Sequence, residues 1–247
     1  MASGARQADR IADGVYRCGT ELVNWYIVDD GERLTVVDCG APGYWPQLDE
    51  ALAALGKRRD DIAAVVLTHG HSDHVGFAER LRSESSTPVL VPEGDADMVR
   101  TGKLKKNERG MLPYFRHPFA WKMVAHLARN GAAKVPPVRE FSTYAGGQTL
   151  DVPGRPVATH VPGHSDGHCV LQFGEVLFVG DTLATVNALT GRRGPQIPPG
   201  AFNRSSEQAL ASLDRLPEAS LVALGHGDPW TEGTAAAVER ARAAGAS

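Results

Sequence analysis

Four short apolar runs in this chain each end in a glycine-bearing turn that carries histidine or aspartate, and this recurrence constrains the fold more than any other feature. Seven of the nine histidines fall in three such segments. The run Ala64-Val65-Val66-Leu67 leads into Thr68-His69-Gly70-His71-Ser72-Asp73-His74, after which Val75 to Ser83 reads as a helix. A lone histidine is usually a satisfied core or surface residue, whereas four ligand-type side chains within six positions after a strand form a metal-binding pattern. Alternation along the loop points His69 and His71 one way, and Asp73 and His74 project from the helix start toward an adjacent point, so one cluster can serve two ions.

The other three turns follow the same design. Val157 to Val161 ends in Pro162-Gly163-His164-Ser165-Asp166-Gly167-His168, where the glycines permit the sharp bend that brings His164 close to a metal as third ligand of the first ion. His160 and His168 read more readily as supporting or ordinary strand residues, since zinc sites rarely need further protein ligands. Val176 to Val179 leads to Gly180-Asp181, and Asp181 can bridge two cations, although an isolated aspartate after a strand is more often a turn or cap residue. Leu221 to Leu224 precedes Gly225-His226-Gly227, and His226 completes the shell of the second ion.

Further buried strands are expected at Val23 to Val28, Leu34 to Val37, Val89 to Val91 and Cys169 to Phe173. Helices are expected at Pro46 to Leu55, at Ser205 to Leu216 with capping-box spacing at Ser205 and Gln208, and at Thr234 to Ala244. Strands flanked by helices throughout, without internal repeats, imply an α/β layered architecture in a single domain spanning 1–247. Residues 95–140 interrupt the rhythm as a helical insert. Pro118 starts a helix there whose Phe119, Ala120, Met123, Val124 and Leu127 share one face, which either completes the core or covers a site.

Positions 100–139 hold ten Lys or Arg against one acid, Glu108, while the formal net charge of the whole chain is only −3. That total gives no reason to expect nucleic-acid binding, and the basic insert is either a solvated face or an attractor for an anionic ligand through Lys105, Lys106 and Arg109. Cys18, Cys39 and Cys169 are odd in number and widely spaced, which suits small core residues rather than a disulfide framework. No apolar span long enough for a membrane helix occurs, and Met1 to Gln7 lacks the apolar stretch of a secretion signal, so a cytoplasmic location is the default expectation.

Taken as a set, the HxHxDH loop (His69, His71, Asp73, His74), the PGHSxGH segment around His164, the GD at Asp181 and the GHG at His226 resemble the metallo-β-lactamase superfamily, in its motif order, from Asp38 to His226. The resemblance implies an α/β fold of four αββα layers with the site at one edge. It implies one metal on His69, His71 and His164, a second on Asp73, His74 and His226, and Asp181 bridging. Two divalent cations would lower the pKa of a shared water and generate a bridging hydroxide, which Asp73 would orient for attack. Imidazole and carboxylate ligands suit zinc, iron and manganese alike, with zinc the default.

Enzymes of the superfamily that open β-lactams typically lack the aspartate present here as Asp181, so the likeness is to the glyoxalase II and lactonase branch. The expected substrate is a small molecule with an activated carbonyl ester, a thioester or a lactone, and the basic, partly apolar insert is compatible with an anionic group attached to an apolar part. The alternatives are a phosphodiesterase and an oxidoreductase of the mononuclear-iron persulfide dioxygenase type. Candidates for a general acid by position are Tyr114, Tyr144 and His117.

Overall fold

Side chains of a β-strand point alternately to its two faces, and in this chain the central strands are apolar on both. Seven strands, β1 (Asp9–Ala12), β2 (Val15–Gly19), β3 (Asn24–Asp29), β4 (Leu34–Val37), β5 (Ile62–Val66), β6 (Val89–Pro92) and β7 (Ser142–Tyr144), form one sheet in chain order. It is antiparallel up to β4 and parallel from β4 to β7. After β8 (Val157–His160), β9 (Cys169–Phe173) and β10 (Val176–Gly180) come a hairpin, β11 (Ala184–Val186) with β12 (Arg193–Gln196), and finally β13 (Leu221–Leu224). The second sheet has the order β13-β10-β9-β8, with β10 and β13 parallel. The computed structural model describes residues 8–246, so the opening segment Met1 to Gln7 lies outside the described residues.

Alternation sorts the apolar side chains into three interfaces. On the first sheet, Ile27, Val36 and Val65 face a core completed by α1 (Trp45–Ala54), through Leu48 and Leu52, and by Leu81. Their neighbours Tyr26, Val28, Val37 and Val66 face the opposite way, against Leu171, Phe173 and Phe178 of the second sheet. On that sheet Val170, Leu177, Val179 and Val222 point outward to Ala209 and to Ala237 and Ala241 of the C-terminal helix. Helix, sheet, sheet and helix therefore stack as four layers, the αββα architecture expected from the motifs.

Two local departures from the sequence reading have identifiable causes. The helix expected over Val75 to Ser83 is two pieces, α2 (Ser72–Val75) and α3 (Ala78–Ser85). Between them Gly76 has φ +22°, and a Cβ there would overlap the carbonyl oxygens of Gly40 and Cys39. The chain leaving β4 runs against this point, with Cys39 N donating to His74 O at 2.7 Å, so the ligand turn is fixed to the end of β4 at the cost of helix continuity. The hairpin β1–β2 lay outside the expected strands because its first strand is only partly buried and carries no apolar run.

The insert divides between core and surface. It contains α4 (Ala96–Thr101) and α5 (Pro118–Arg129), and Val99, Ala120 and Met123 are buried. Residues 103–110, by contrast, form a strap over the second half of the chain. Glu108 N donates to Asn203 O at 2.8 Å, Arg109 N to Gly200 O at 3.1 Å, and Asn107 Nδ2 to Ala201 O at 2.7 Å. Later come α6 (Ser206–Ser212), whose Ser205 cap accepts from Gln208 N, and α7 (Gly233–Ala244). Among the described residues no helix is long and apolar enough to cross a membrane.

The Gly76 contact yields a test of this packing. Gly76→Ala should lose well over 1 kcal/mol in urea unfolding, because the strained φ is compounded by overlap with backbone that has nowhere to go. Gly56→Ala, at φ +66° with open space around the new methyl, should lose only about 1 kcal/mol. Equal losses would show that the approach of β4 is not what breaks the helix.

Candidate metal centre

Parallel pairing carries the ligand turns to the same end of both sheets. The β4–β5 pair sets Asp38 beside Thr68, and the β10–β13 pair sets Asp181 beside Gly225, whose N–H donates to Gly180 O at 2.8 Å. Cys169 N donates to Thr68 O at 3.0 Å and ties one sheet to the other at this edge. The ring of His69 consequently lies 4.1 Å from that of His74 and 4.8 Å from those of His71 and His164.

Three ligand trios result, each with its donor atoms all within 4.8 Å of one another: His69, His71 and His164; His69, His74 and Asp181; Asp73, His74 and His226. All seven residues singled out in the motifs are thus brought together. Asp181 lies between the trios, its Oδ1 at 3.3 Å from His74 Nε2, and its Oδ2 at 3.1 Å from His226 Nε2 and 3.4 Å from His164 Nε2.

The hydrogen bonds on the far side of each ring decide which nitrogen faces inward. His69 Nδ1 bonds Thr68 Oγ1 at 3.0 Å, His74 Nδ1 bonds Asp38 Oδ2 at 2.8 Å, His164 Nδ1 bonds Asn203 Oδ1 at 3.0 Å, and His226 Nδ1 bonds Leu22 O at 2.6 Å. Each ring therefore presents Nε2 to the centre, in the manner of a metal-ligating imidazole held from behind. The Nε2 atoms of His69, His74 and His164 and Oδ1 of Asp181 are buried without a hydrogen-bond partner. Such orphaned buried atoms are costly unless something fills the space between them, and a divalent cation fits this donor set of imidazole and carboxylate.

Electrostatics separate the rings. Burial holds His69 and His164 well below the usual imidazole range, so both are neutral and ready to ligate. Burial acts the same way on His74 and His226, but the nearby carboxylates outweigh it, Asp181 and Asp38 raising His74 and Asp181 pushing His226 up to about 9. Burial also drives His168 down to about 3. This neutral ring accepts from Asp181 N at 3.1 Å and meets Thr182 Oγ1 at 3.3 Å, which places it directly behind the central carboxylate. His160 stands apart, bonding Asp166 O at 2.9 Å.

Several supporting residues carried no sequence signal. Asp38, in a left-handed conformation at φ +59°, accepts from Thr68 N, from Thr68 Oγ1 and from His74, each at 2.8 Å. Asp95, fully buried, accepts from Gly70 N at 2.9 Å, Ser165 Oγ at 2.6 Å and Gly167 N at 2.8 Å, so one carboxylate joins the His69–His71 turn to the His164 turn. Arg17, also buried, donates to Asn24, Asp228 and Gly227 O and braces the turn of His226. His126 of α5, which the helical pattern left unremarked, bonds the Tyr44 hydroxyl at 2.5 Å, and that hydroxyl reaches Thr20 Oγ1 at 2.8 Å. Of the general-acid candidates, Tyr144 donates to Leu67 O, Tyr114 packs with Ala120 and Leu189, and His117 accepts from Arg116.

Comparison with known proteins agrees with this geometry. The family model described as the metallo-beta-lactamase superfamily matches residues 18–226. Among curated proteins, a hydroxyacylglutathione hydrolase of Alkalilimnicola ehrlichii is 31% identical over 206 residues, covering 82% of this chain and 60% of that one. The probable metallo-hydrolase YflN of Bacillus subtilis is 28% identical, covering 89% of this chain and 86% of its own. Among solved structures, a metallo-beta-lactamase from Cronobacter sakazakii superposes with a TM-score of 0.70 at 23% identity, covering 97% of this chain and 95% of that one. The chain belongs to the metallo-beta-lactamase superfamily, and its ligand cluster is that of a metal-dependent hydrolase.

Two outcomes are expected of the centre. Without metal, His226 carries its proton up to about pH 9, so a cation must displace it. Metal uptake at pH 7 should release protons, and apparent affinity should climb with pH until both His74 and His226 have lost theirs, as read by calorimetry in buffers of different ionisation enthalpy. Asp95→Ala, which touches no ligand side chain, should weaken metal binding by about 10- to 100-fold in competition with a chromophoric chelator. An unchanged affinity would mean that the two turns hold their places without it.

Proposed function

We propose that the chain hydrolyses an activated carbonyl ester, a thioester or a lactone, at a pair of divalent metal ions, with zinc the first choice. The observation that carries this reading is Asp181, whose Oδ2 faces both His164 of one trio and His226 of another while Oδ1 faces His74. One ion would take His69, His71 and His164, the other Asp73, His74 and His226, with Asp181 between them. When bound, such a pair lowers the pKa of a shared water toward neutrality and polarises the substrate oxygen.

The chain's own groups then have distinct tasks. Asp73 lies at the inner wall of a pocket together with His71 and His226, where its carboxylate can accept a hydrogen bond from the attacking water and aim it at the carbonyl. Asp38, Asn203 and the Leu22 carbonyl keep the ligand rings from turning, so the reacting geometry is in place before substrate arrives. The name of the Alkalilimnicola relative supports a thioester, and the central aspartate separates the site from the β-lactam-opening pattern.

The expected anionic group finds less support. Of the insert's cations, Lys105 is paired with Asp166 at 2.7 Å, Arg109 with Glu108 at 3.7 Å, and Lys122 with Glu21. Within the strap, Lys105 thus ties it to the body of the fold, and Arg109 is paired with its own neighbour.

Metal analysis of protein purified without added metal, followed by thioesters, lactones, phosphodiesters and β-lactams, tests the reading. It requires two ions per chain, turnover of a carbonyl ester, and a fall in kcat of at least about 10²-fold in Asp73→Asn. A single iron per chain, or turnover of phosphodiesters alone, would refute it.

A further inference from the structure

Beside the ligand cluster lies a pocket of about 470 Å³, its open mouth included. Its inner wall is His71, Asp73 and His226, so it opens directly onto the metal-binding edge. The rest is mostly apolar: Leu104 from the strap, Met123 and Leu127 from α5, and Ala188 and Phe202 from the second half of the chain, with Ser72 and Asn107 the polar exceptions. None of the insert's ten Lys or Arg lines it.

The helical pattern of α5 accounts for this wall. Met123 and Leu127 are one turn apart on the same face, Met123 buried and Leu127 half-buried above it. Leu104 stands 58% exposed at the end of the strap, which backbone hydrogen bonds from Glu108 and Arg109 hold against residues 200–203. The insert thus contributes a greasy surface to the site rather than a charged one.

We propose that this pocket is the acyl subsite: an ester whose carbonyl stands at the Asp73–His226 edge extends an unbranched apolar chain of medium length between α5 and the strap. The proposal rests on the reading of the chain as a carbonyl-ester hydrolase. Continuity fixes the occupant, because the apolar space begins where the reacting carbon must sit and nothing charged lies along it. Each methylene taken out of water into such a space should raise kcat/KM about two- to fourfold until the pocket is full.

The test uses metal-loaded protein and p-nitrophenyl esters from acetate to octanoate, with Leu104→Asp and Leu127→Trp as variants. The ratio of kcat/KM for octanoate over acetate should exceed unity strongly in the wild type and fall about tenfold in each variant. Leu104→Asp alters an exposed side chain, so the test survives even if the bulkier Leu127→Trp fails to fold. Turnover with a flat chain-length profile, or variants that leave the ratio unmoved, would overturn the subsite.

Binding of octanoate and acetate, followed by calorimetry, separates the subsite from the reaction. If no ester is turned over, the hydrolase reading falls. Octanoate binding at least tenfold tighter than acetate, weakened by Leu104→Asp, would still establish the pocket, and equal binding of the two would eliminate it.

Discussion

Imidazole nitrogens directed at a common point cannot all find partners, and a carboxylate buried among them has little water to screen its charge. The centre of this protein is built on that conflict. The Nε2 atoms of His69, His74 and His164 and Oδ1 of Asp181 converge without hydrogen-bond partners. No rotation relieves them, because the opposite edge of each ring is already bonded to Thr68, Asp38 or Asn203. In the metal-free protein the strain is eased by protons on His74 and His226, and a cation replaces those protons with a stronger common partner.

The scaffold meets this demand with few, shared anchors. Parallel strand pairs deliver the turns to one edge, but the turns themselves need fastening, and two buried aspartates do most of it. Asp38 grips the start of the HxHxDH loop and the ring of His74 at once, and Asp95 bonds that loop and the His164 turn. A carboxylate that accepts three hydrogen bonds from two segments fixes their separation more stiffly than either segment's own backbone does. The site's shape is therefore set by anions that never meet the substrate.

What could be read in advance divides along the same line. The ligands were legible because their chemistry is local: HxHxDH packs four donors into six residues, and the glycines around His164 and His226 announce sharp turns after apolar runs. The four layers were legible from the motif set rather than from hydrophobic periodicity, which located strands without ordering them. Asp38 and Asp95 were invisible as anchors since each looks, in sequence, like any aspartate after a strand. Their partners lie up to 72 positions away. His126 was hidden by its own helix, where the apolar pattern of Met123 and Leu127 drew attention to packing, while the partner that gives it meaning, Tyr44, sits 82 residues earlier. The break at Gly76 likewise depends on where β4 ends, which no local pattern records.

One brace has implications for assembly. Arg17 bonds Asp228 across 211 positions, and Asn24 bonds Leu224 and Gly227 across about as many, so the turn bearing His226 is anchored on β2 and β3. Contacts of such long range are entropically slow to close and form late. Until β13 joins its sheet the trio of Asp73, His74 and His226 is incomplete, so the second of the two outer ligand clusters is assembled only when the fold is nearly finished.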